Sequence, residues 1–510
     1  MAVALPPRSL RLPTRPYREW WAWLVVPTAF LLVLVAPTVG WPVVLTAVVA
    51  IPAIIVLSRY PGLSLVALIW FLPLQIPVLS YLYHHGAPAG FLKIAGYGKE
   101  GLAAAVLIAG AREVVKGRSR LDGLDKLILA YCAALTIYVV VPFIVSSPFY
   151  PHSGFDRLLG YRLNAGFLLV FLACRHAPID TRWRRRFVTS VIGTGVLLAA
   201  IGVYQFIRPS WFSDFIFNTL GIPFFQLHVL KVPLGAVVDT FRWTQANPVR
   251  VGSLFVGPFD FADFLLLPAA LLLVRLTRRS GRLRDVAFLA IIGGALLASQ
   301  TRANIIAAGV MALLVLVPSP QRLLANRLRI LAVVLLAVVA FVPSFASSRL
   351  GGTEQSATST QGHVNEIQFG LTVLQHYPLG LGIGTAPAVS ARDPNAVVVI
   401  SDNSLLQVGN ELGIVMMAFF IVILVASVVA LWRRTRSDPG NQLADGARLA
   451  LIGLVLAGQF HHVFQTFAIS WPLWAAVGLA LARPRARDAD YDPGGGLEAR
   501  DLDRRADARS

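Results

Sequence analysis

Charged residues are scarce in this sequence. Asp, Glu, Lys and Arg make up 14% of its 510 residues, whereas 56% are hydrophobic, and its mean hydropathy is +0.67. Soluble proteins typically carry about 25% charged residues. Apolar runs of roughly 16 to 24 residues recur along the chain, each about as long as a membrane-spanning helix. The sequence therefore predicts an integral membrane protein and excludes a soluble globular one.

Cysteine, lysine and acidic residues are also scarce. Cys132 and Cys174, the only cysteines, both lie within predicted spans, so no disulfide framework is expected. The 26 acidic residues are outnumbered by 45 basic ones, of which only five are lysine. This preference for arginine, together with abundant alanine and valine, indicates a bacterial source with a GC-rich genome.

The basic residues are concentrated in short segments between the predicted spans. Most fall on one side of the membrane: in the N-terminus, in the C-terminal tail, and in "REVVKGRSR", "RHAPIDTRWRRR", "RLTRRSGRLR", "RLLANRLR" and "WRRTR". By the positive-inside rule this side is cytoplasmic, so both termini are expected in the cytoplasm. The net charge of +19 then reflects topology and contact with anionic lipids, and no nucleic-acid partner is expected.

The expected fold is an all-α, multi-pass protein of the cytoplasmic membrane, with about 14 transmembrane helices and 12 as the alternative. The predicted spans are 20–37, 40–57, 62–81, 99–112, 127–145, 158–174, 187–206, 254–274, 285–299, 303–318, 329–344, 404–431, 447–463 and 468–482. Residues 1–19 form a basic cytoplasmic N-terminus, and 20–482 form the membrane domain. The tail, 483–510, mixes both charge signs with glycine and is expected to be disordered.

Two predicted loops on the outer side are long, near 207–253 and 345–403. The second contains "HVNEIQFGLTVLQHY". Its apolar residues recur at three- and four-residue steps: Val364, Ile367, Leu371 and Leu374. This spacing predicts an amphipathic helix, which Pro378 would end. The sequence thus predicts a large extracytoplasmic loop with a helix of its own.

A glycine-rich stretch, "PLGLGIGTA", follows that predicted helix and includes Gly382 and Gly384. A dinucleotide-binding motif needs a preceding strand and a following helix, so that reading is excluded here. Two readings remain. The glycines either allow a chain reversal with positive φ angles, or let the backbone approach a ligand closely.

Polar residues collect where the outer loops meet the predicted spans. They are Arg250, Asp260, Asp263, Arg302, Glu366, Asp402, Asn403 and Glu411. Ionisable groups at membrane depth are expensive to bury and usually face a protein interior or a wet cavity. The functional surface is therefore expected on the outer side.

Each of these groups also has a purely structural reading. In "SQTRANII", Gln300 and Arg302 belong either to a polar hairpin turn or to a site where a buried arginine binds phosphate. Arg250 is either a phosphate ligand or an interfacial arginine that extends to the headgroups. Asp260 lies near a predicted helix N-terminus, where a negative charge interacts favourably with the helix dipole. Asp402 and Asn403 precede the span at 404–431 and can cap that helix.

The outer loops lack an Asp-x-Asp pair of the kind that chelates a divalent metal together with a diphosphate. A metal-dependent mechanism is therefore not predicted, and no cofactor is expected. The pairs His84–His85 and His461–His462 are adjacent in sequence, and neighbours on a helix point about 100° apart. They are interpreted as interfacial histidines rather than as metal ligands.

Three segments, in order, resemble the O-antigen ligase and O-antigen polymerase superfamily of bacterial membrane proteins. They are "RVGSLFVGPFDFADFL", "SQTRANIIA", and the outer loop with "GHVNEIQFGLTVLQHYPLGLGIGTA" followed by "SDNSLLQVGNELGIVMMAFF". The resemblance covers residues 248–424. The remaining spans are similar to the family only in number and topology.

The resemblance implies a membrane glycosyltransferase. Such an enzyme transfers a glycan from a polyprenyl-diphosphate carrier to a hydroxyl acceptor on a glycan, lipid or protein, at the outer membrane face and without a metal. By position, Arg250 and Arg302 would hold the diphosphate, and Asp402 would act as the catalytic base. The other substrate-binding residues implied are Asn403, Gln300, His363, Gly382, Gly384 and Glu411.

The sequence departs from the family pattern at three positions. Asp402 replaces a histidine, His363 replaces an arginine, and the tryptophan position reads Phe369 or Ile367. A carboxylate can accept a hydroxyl proton in a partly desolvated site, so Asp402 can replace the histidine. His363 taking over that role, and a member with altered or lost activity, are the alternatives.

Two other classes of protein fit a chain of this composition. One is a transporter, such as a lipid-linked oligosaccharide flippase, and the other is a non-catalytic scaffold of a cell-wall polysaccharide complex. Transporters often place their coupling charges near the middle of the bilayer. Here the charges collect at the outer ends of the spans, which favours surface chemistry.

Overall fold

The computed structural model describes residues 41–140, 154–230, 232, 237, 250–277, 282–316, 353–385 and 403–483. Within these ranges every regular element is a helix, which confirms the all-α prediction. The predicted spans 20–37 and 329–344 lie outside the described residues, as do Asp402 and nearly all of the C-terminal tail.

The helices are numbered in chain order. The first nine are α1 (Trp41–Leu57), α2 (Pro61–His84), α3 (Ala89–Gly96), α4 (Gly98–Val115), α5 (Gly123–Val140), α6 (Gly154–His176), α7 (Thr181–Ile207), α8 (Pro209–Asp214) and α9 (Ile222–His228), with a π-helical turn at Phe215–Thr219. The others are α10 (Pro258–Thr277), α11 (Leu283–Ala298), α12 (Arg302–Leu316), α13 (Thr353–His376), α14 (Ser404–Ser437), α15 (Gln442–Ala457) and α16 (Phe467–Leu481).

Most predicted spans coincide with described helices, namely α1, α2, α4 to α7, α10 to α12, and α14 to α16. Five of them, α2, α5, α6, α7 and α14, are long and apolar enough to cross a membrane. Helices α12 and α16 are apolar but shorter. The chain is thus a multi-pass helical protein, and the count of 14 spans is consistent with it.

Residues 1–57 and 58–510 form two compact units. The described part of the first unit is α1, an apolar helix with Pro52 in its interior. The second unit contains the other helices and the polar residues discussed below.

The core of the second unit includes the pair α6 and α16. The ring of Trp474 lies 5.6 Å from that of Phe167 and 5.9 Å from that of Phe171, with edge-to-face geometry in the second case. Gly478 lets the two helices approach, because a Cβ at this position would lie 2.5 Å from the carbonyl oxygen of Phe171. Small residues at such crossings are typical of membrane helices.

Helix α13 confirms the helix predicted before Pro378. Its apolar side is only partly covered: Val373 and Leu374 are buried, whereas Val364 and Leu371 are exposed. The predicted stripe therefore does not coincide with the buried side, because α13 packs on α14 through its C-terminal part.

Candidate active site

Helix α14 is broken at Gly413, where φ is +86°. In an unbroken helix the carbonyl of Asn410 would accept a hydrogen bond from the amide of Ile414. Here the amide of Leu381 donates to that carbonyl at 2.8 Å, and the amide of Ile414 donates to the carbonyl of Pro378 at 2.9 Å. The segment after α13 therefore enters the break and exchanges backbone hydrogen bonds with α14.

Glycine makes this insertion possible. Gly380, Gly382 and Gly384 have φ angles of +84°, +111° and +99°. A Cβ at Gly380 would lie 2.5 Å from the amide nitrogen of Gly413, and one at Gly160 would lie 2.4 Å from that of Gly384. The prediction of a glycine reversal with positive φ is confirmed. The close approaches seen here are to the protein's own backbone.

Glu411 is fully buried and holds the inserted segment in place. Its Oε1 accepts a hydrogen bond from the amide of Gly384 at 2.7 Å. Its Oε2 accepts from Asn164 of α6 at 3.0 Å and from Gln465 at 3.3 Å. A buried carboxylate is costly unless its oxygens are satisfied, and these three donors offset that cost. Glu411 thus links the loop to α6 and to the segment before α16.

Two acids in the first turns of α10 contact other elements. Asp263 is buried, and its Oδ1 accepts a hydrogen bond from the side-chain amide of Asn304 at 2.6 Å. His461 Nε2 lies 2.9 Å from Oδ1 of Asn304 and 3.6 Å from Oδ1 of Asp263. Asp260 accepts from the hydroxyl of Thr466 at 3.1 Å. The starts of α10 and α12 and the turn before α16 therefore meet in one polar cluster.

Arg250 lies beside this cluster. Its Nε donates to the carbonyl of Ser299 at 3.3 Å. Its guanidinium lies 4.8 Å from the centroid of the Phe259 ring, within the range of a cation–π contact. The same ring lies 4.9 Å from the ring of His461. Arg250 is thus held by a carbonyl and an aromatic face.

Arg302 is the first residue of α12, after a buried turn. Ser299 and Thr301 share a hydrogen bond of 2.6 Å, and Gln300 has a φ of +55°. These three residues are buried, whereas Arg302 is exposed. The turn of the hairpin reading is present, and the side chain of Arg302 is exposed rather than buried. Phosphate binding by Arg302 stays a prediction. In the part of the chain that the structure describes, Arg302 forms no ion pair.

Asn403 caps α14. Its Oδ1 accepts from the amides of Leu405 and Leu406 at 2.9 and 3.0 Å, and its Nδ2 donates to the carbonyl of Gln459 at 3.1 Å. The capping alternative is therefore confirmed for Asn403. His363 lies in α13, and its side chain is outside the described residues, as is all of Asp402.

An apolar groove of about 350 Å³ lies between α4, α6 and α16. Its lining includes Ala104 and Leu107 of α4, Leu169 of α6, and Trp471 of α16. Small side chains on α4 leave the space that the groove occupies. The exposed lining of the groove is almost wholly apolar.

One end of the groove is charged. Arg162 lies 3.2 Å and Lys99 lies 3.6 Å from the same oxygen of Glu100. The guanidinium of Arg162 lies 4.7 Å from the ring centroid of Phe467, the first residue of α16. Phe467 directly follows Thr466, which contacts α10, so the groove and the polar cluster are neighbours.

Several of these residues are not among those that the sequence predicts for the site. His461 was interpreted as interfacial, yet it is buried and bonded to Asn304. Only the folded chain reveals this contact, because the two residues are far apart in sequence. Lys99 and Arg162 had an available signal, since ionisable residues inside predicted spans are functional candidates by default.

Residues 287–421 match a family model described as O-antigen ligase. The match includes most of α11, all of α12 and α13, and the first half of α14, and so contains Arg302, the inserted loop and Glu411. Arg250 and His461 lie outside it. A comparison with curated proteins finds no significant match. The family match confirms the resemblance to the O-antigen ligase and polymerase superfamily.

Proposed function

We propose that this protein, which carries an O-antigen ligase domain, transfers a glycan from a polyprenyl-diphosphate carrier to a hydroxyl acceptor. The transfer would occur at the outer face of the cytoplasmic membrane, in polysaccharide polymerisation or ligation. One observation carries the proposal. Arg250 donates to the carbonyl of Ser299, three residues before Arg302, so two cations from separate segments belong to the same end of the bundle.

Two arginines suit the chemistry of this transfer. The acceptor oxygen bonds to the anomeric carbon, the bond from that carbon to the diphosphate oxygen breaks, and the electron pair leaves with the diphosphate. Negative charge grows on the leaving group as the bond breaks. Guanidinium groups placed beside the leaving diphosphate stabilise that charge most in the transition state. In this proposal Arg250 and Arg302 do so without a metal.

The acceptor's proton must pass to a base, and we assign this role to Asp402. It directly precedes Asn403, whose cap fixes the start of α14. A carboxylate can accept the proton of a hydroxyl group in a partly desolvated site, and the proposal requires such a site for Asp402. His363 is the alternative base.

The remaining predicted site residues divide into two groups. Gln300 and Gly382 are proposed to line the donor site beside the arginines. Glu411, Gly384 and Asn403 are proposed to act indirectly, because their polar groups hold the loop and the helix start. The apolar groove supports a donor with a long aliphatic chain, since its volume of about 350 Å³ accommodates part of a polyprenyl tail.

The test is the glycan profile of a deletion strain. The strain is complemented with the wild type, Arg302→Ala, Asp402→Asn, or Arg185→Ala, an exposed arginine of α7 that serves as the matched control. Single repeat units accumulating on the carrier indicate a polymerase, and long chains left on the carrier indicate a ligase. We expect Arg185→Ala to rescue the strain and the other two variants to fail.

The same experiment separates the alternative functions. Loss of a flippase leaves carrier-linked glycan on the cytoplasmic side, where an impermeant outer-side probe does not reach it. A scaffold tolerates Arg302→Ala and Asp402→Asn. A normal profile in the deletion strain, or full rescue by both variants, contradicts the proposed transfer.

A further inference from the structure

His461 lies outside the segments that suggested the function, yet it contacts three of them. Its Nε2 reaches Asn304 of α12, and its ring faces Phe259 of α10. Its backbone carbonyl accepts a hydrogen bond from the hydroxyl of Ser404, at the start of α14, at 2.6 Å. Only 8% of the residue is exposed. This burial and these contacts indicate a role within the site rather than at the membrane surface.

The hydrogen-bond network fixes the state of the imidazole. Asn304 uses its NH₂ group to donate to Asp263, so its carbonyl oxygen faces His461. An amide oxygen only accepts, so Nε2 of His461 must carry a hydrogen, as the network assigns it. Both the neutral and the protonated ring can meet this requirement.

The first connection runs from His461 to Arg302. Asn304 is two residues beyond Arg302, in the first turn of α12. Hydrogen bonds on both ends of its amide, at 2.6 Å to Asp263 and 2.9 Å to His461, restrain that turn. The backbone position from which Arg302 extends is therefore set by the polar cluster.

The second connection runs from His461 to Arg250. The Phe259 ring contacts both residues, with its centroid 4.9 Å from the ring centroid of His461 and 4.8 Å from the guanidinium of Arg250. The imidazole packs on the ring and limits its movement. The ring in turn supports the guanidinium through the cation–π contact.

We propose that His461 is a positioning residue of the transfer site. Through Asn304 it fixes the first turn of α12, and through Phe259 it fixes Arg250, so that both guanidinium groups face one diphosphate. This inference rests on the proposed function and adds to it a residue outside the family match. It acts through other residues and takes no proton from the substrate.

The proposal makes a specific statement about charge. Among the described residues, the charged and titratable groups near His461 include Asp260 and Asp263 of α10, Arg250 on the same Phe259 ring, and the adjacent His462. Because the Nε2 hydrogen is present in both protonation states, the role needs a donor rather than a positive charge. A glutamine amide supplies such a donor, so His461→Gln is expected to keep both the activity and the pH profile of the wild type.

The test uses the purified full-length protein and a carrier-linked repeat unit extracted from the deletion strain. We compare the wild type, His461→Ala, His461→Gln and the matched control His462→Ala. His461→Ala is expected to lower kcat/KM roughly 10- to 100-fold, which corresponds to misplacement of both arginines. His461→Gln is expected to remain within about threefold of the wild type, and His462→Ala is expected to match it.

Two further measurements distinguish a positioning role of His461 from a loss of folding in the His461→Ala protein. Phe259→Leu removes the aromatic face and leaves the bond between His461 and Asn304, so it should weaken the function of Arg250 alone. In an Arg302→Ala background, His461→Ala should add less than it does alone, because residues that act as a unit are not additive. Equal effects of His461→Ala in both backgrounds contradict the proposed connection.

Two results overturn the inference. Activity of His461→Ala equal to that of His462→Ala removes the role altogether. Failure of His461→Gln to restore activity assigns the effect to the imidazole itself, as in a base.

If the wild type transfers nothing, the proposed function fails, and undecaprenyl diphosphate binding becomes the readout. Weaker binding by His461→Ala alone then supports the positioning role, whereas equal binding, or none by the wild type, contradicts it.

Discussion

The polar cluster of Asp263, Asn304 and Arg250 differs in character from a second polar cluster, which includes residues of α6. At the C-terminal end of α6, Arg175 forms ion pairs with Asp122 and, at 3.0 Å, with the buried Asp125. His176 lies 3.3 Å from the same Asp125. Arg175 thus faces two carboxylates, and the buried Asp125 contacts both Arg175 and His176.

The cluster of Asp263, Asn304 and Arg250 is arranged differently. Arg250 meets a carbonyl and an aromatic ring, and Arg302 is exposed at the start of its helix. The nearby carboxylate of Asp263 is held by Asn304 rather than by either arginine. A cluster whose charges compensate each other is structural, whereas an exposed cation such as Arg302 can take an external anion.

The largest effect is expected in the compensated cluster around Arg175. Arg175→Ala leaves Asp122 and Asp125 without their guanidinium, and breaking a buried pair on one side costs about 3–5 kcal/mol. We expect a large loss of thermal stability of the purified protein in detergent, with unchanged activity per folded molecule. A stable Arg175→Ala protein with impaired transfer would contradict the structural assignment of this cluster.

Arg302→Ala should have the opposite effect, with lower activity and unchanged stability. Removing one group that stabilises the leaving charge lowers kcat/KM by roughly 10²- to 10³-fold. The unfolding temperature should match the wild type, because the side chain is exposed. The measurement is a transfer assay with the carrier-linked donor, alongside thermal unfolding. Arg185→Ala, also exposed, is the control and should leave both unchanged.

Gly413→Ala tests the inserted loop. Its expected effect is smaller than those of Arg175→Ala and Arg302→Ala. Alanine at a φ of +86° is strained, and its Cβ would lie 2.6 Å from the carbonyl oxygen of Pro378. We expect a loss of roughly 1–3 kcal/mol in unfolding free energy and proteolytic cleavage in the displaced loop. Gly309, whose Cβ would meet nothing within 4 Å, is the matched position for a control alanine. Equal resistance of the Gly413→Ala and Gly309→Ala proteins to proteolysis would contradict a fixed loop.

Asn403→Ala should have the smallest effect. Loss of a helix N-cap costs about 1 kcal/mol. Asn403→Asp keeps the capping oxygen, so it should recover most of that loss while losing the bond to Gln459. Chemical denaturation of the three proteins measures the difference. An alanine variant as stable as the wild type would show that the contacts of Ser404 hold the start of α14 without the cap.

Local features of the fold could be predicted from the sequence. Pro378 ends α13 because proline cannot continue a helix, and Asn403 precedes an apolar run as an N-cap does. Both depend on residues within one or two turns of each other. The spacing of the glycines at 380, 382 and 384 likewise indicates positive φ angles, and all three adopt them.

Features that depend on distant partners could not be predicted in this way. The break at Gly413 exists because residues 378–382 supply its hydrogen bonds. His461 contacts Asn304, which lies 157 positions earlier in the sequence. Neither residue differs in its local sequence pattern from an ordinary helix glycine or a loop histidine. The sequence motifs thus indicate candidate arginines of the site, whereas the contacts that position these arginines are seen only in the folded chain.

The broken α14 has a consequence for how the chain enters the membrane. An unsatisfied backbone carbonyl costs several kcal/mol in a bilayer. The carbonyls of Asn410 and Glu411 accept from Leu381 and Gly382 in the folded protein, and an intact helix would satisfy them from within. The segment can thus leave the translocon as a continuous helix. It can bend later, when the amides of the preceding loop replace the two hydrogen bonds that the bend removes from these carbonyls.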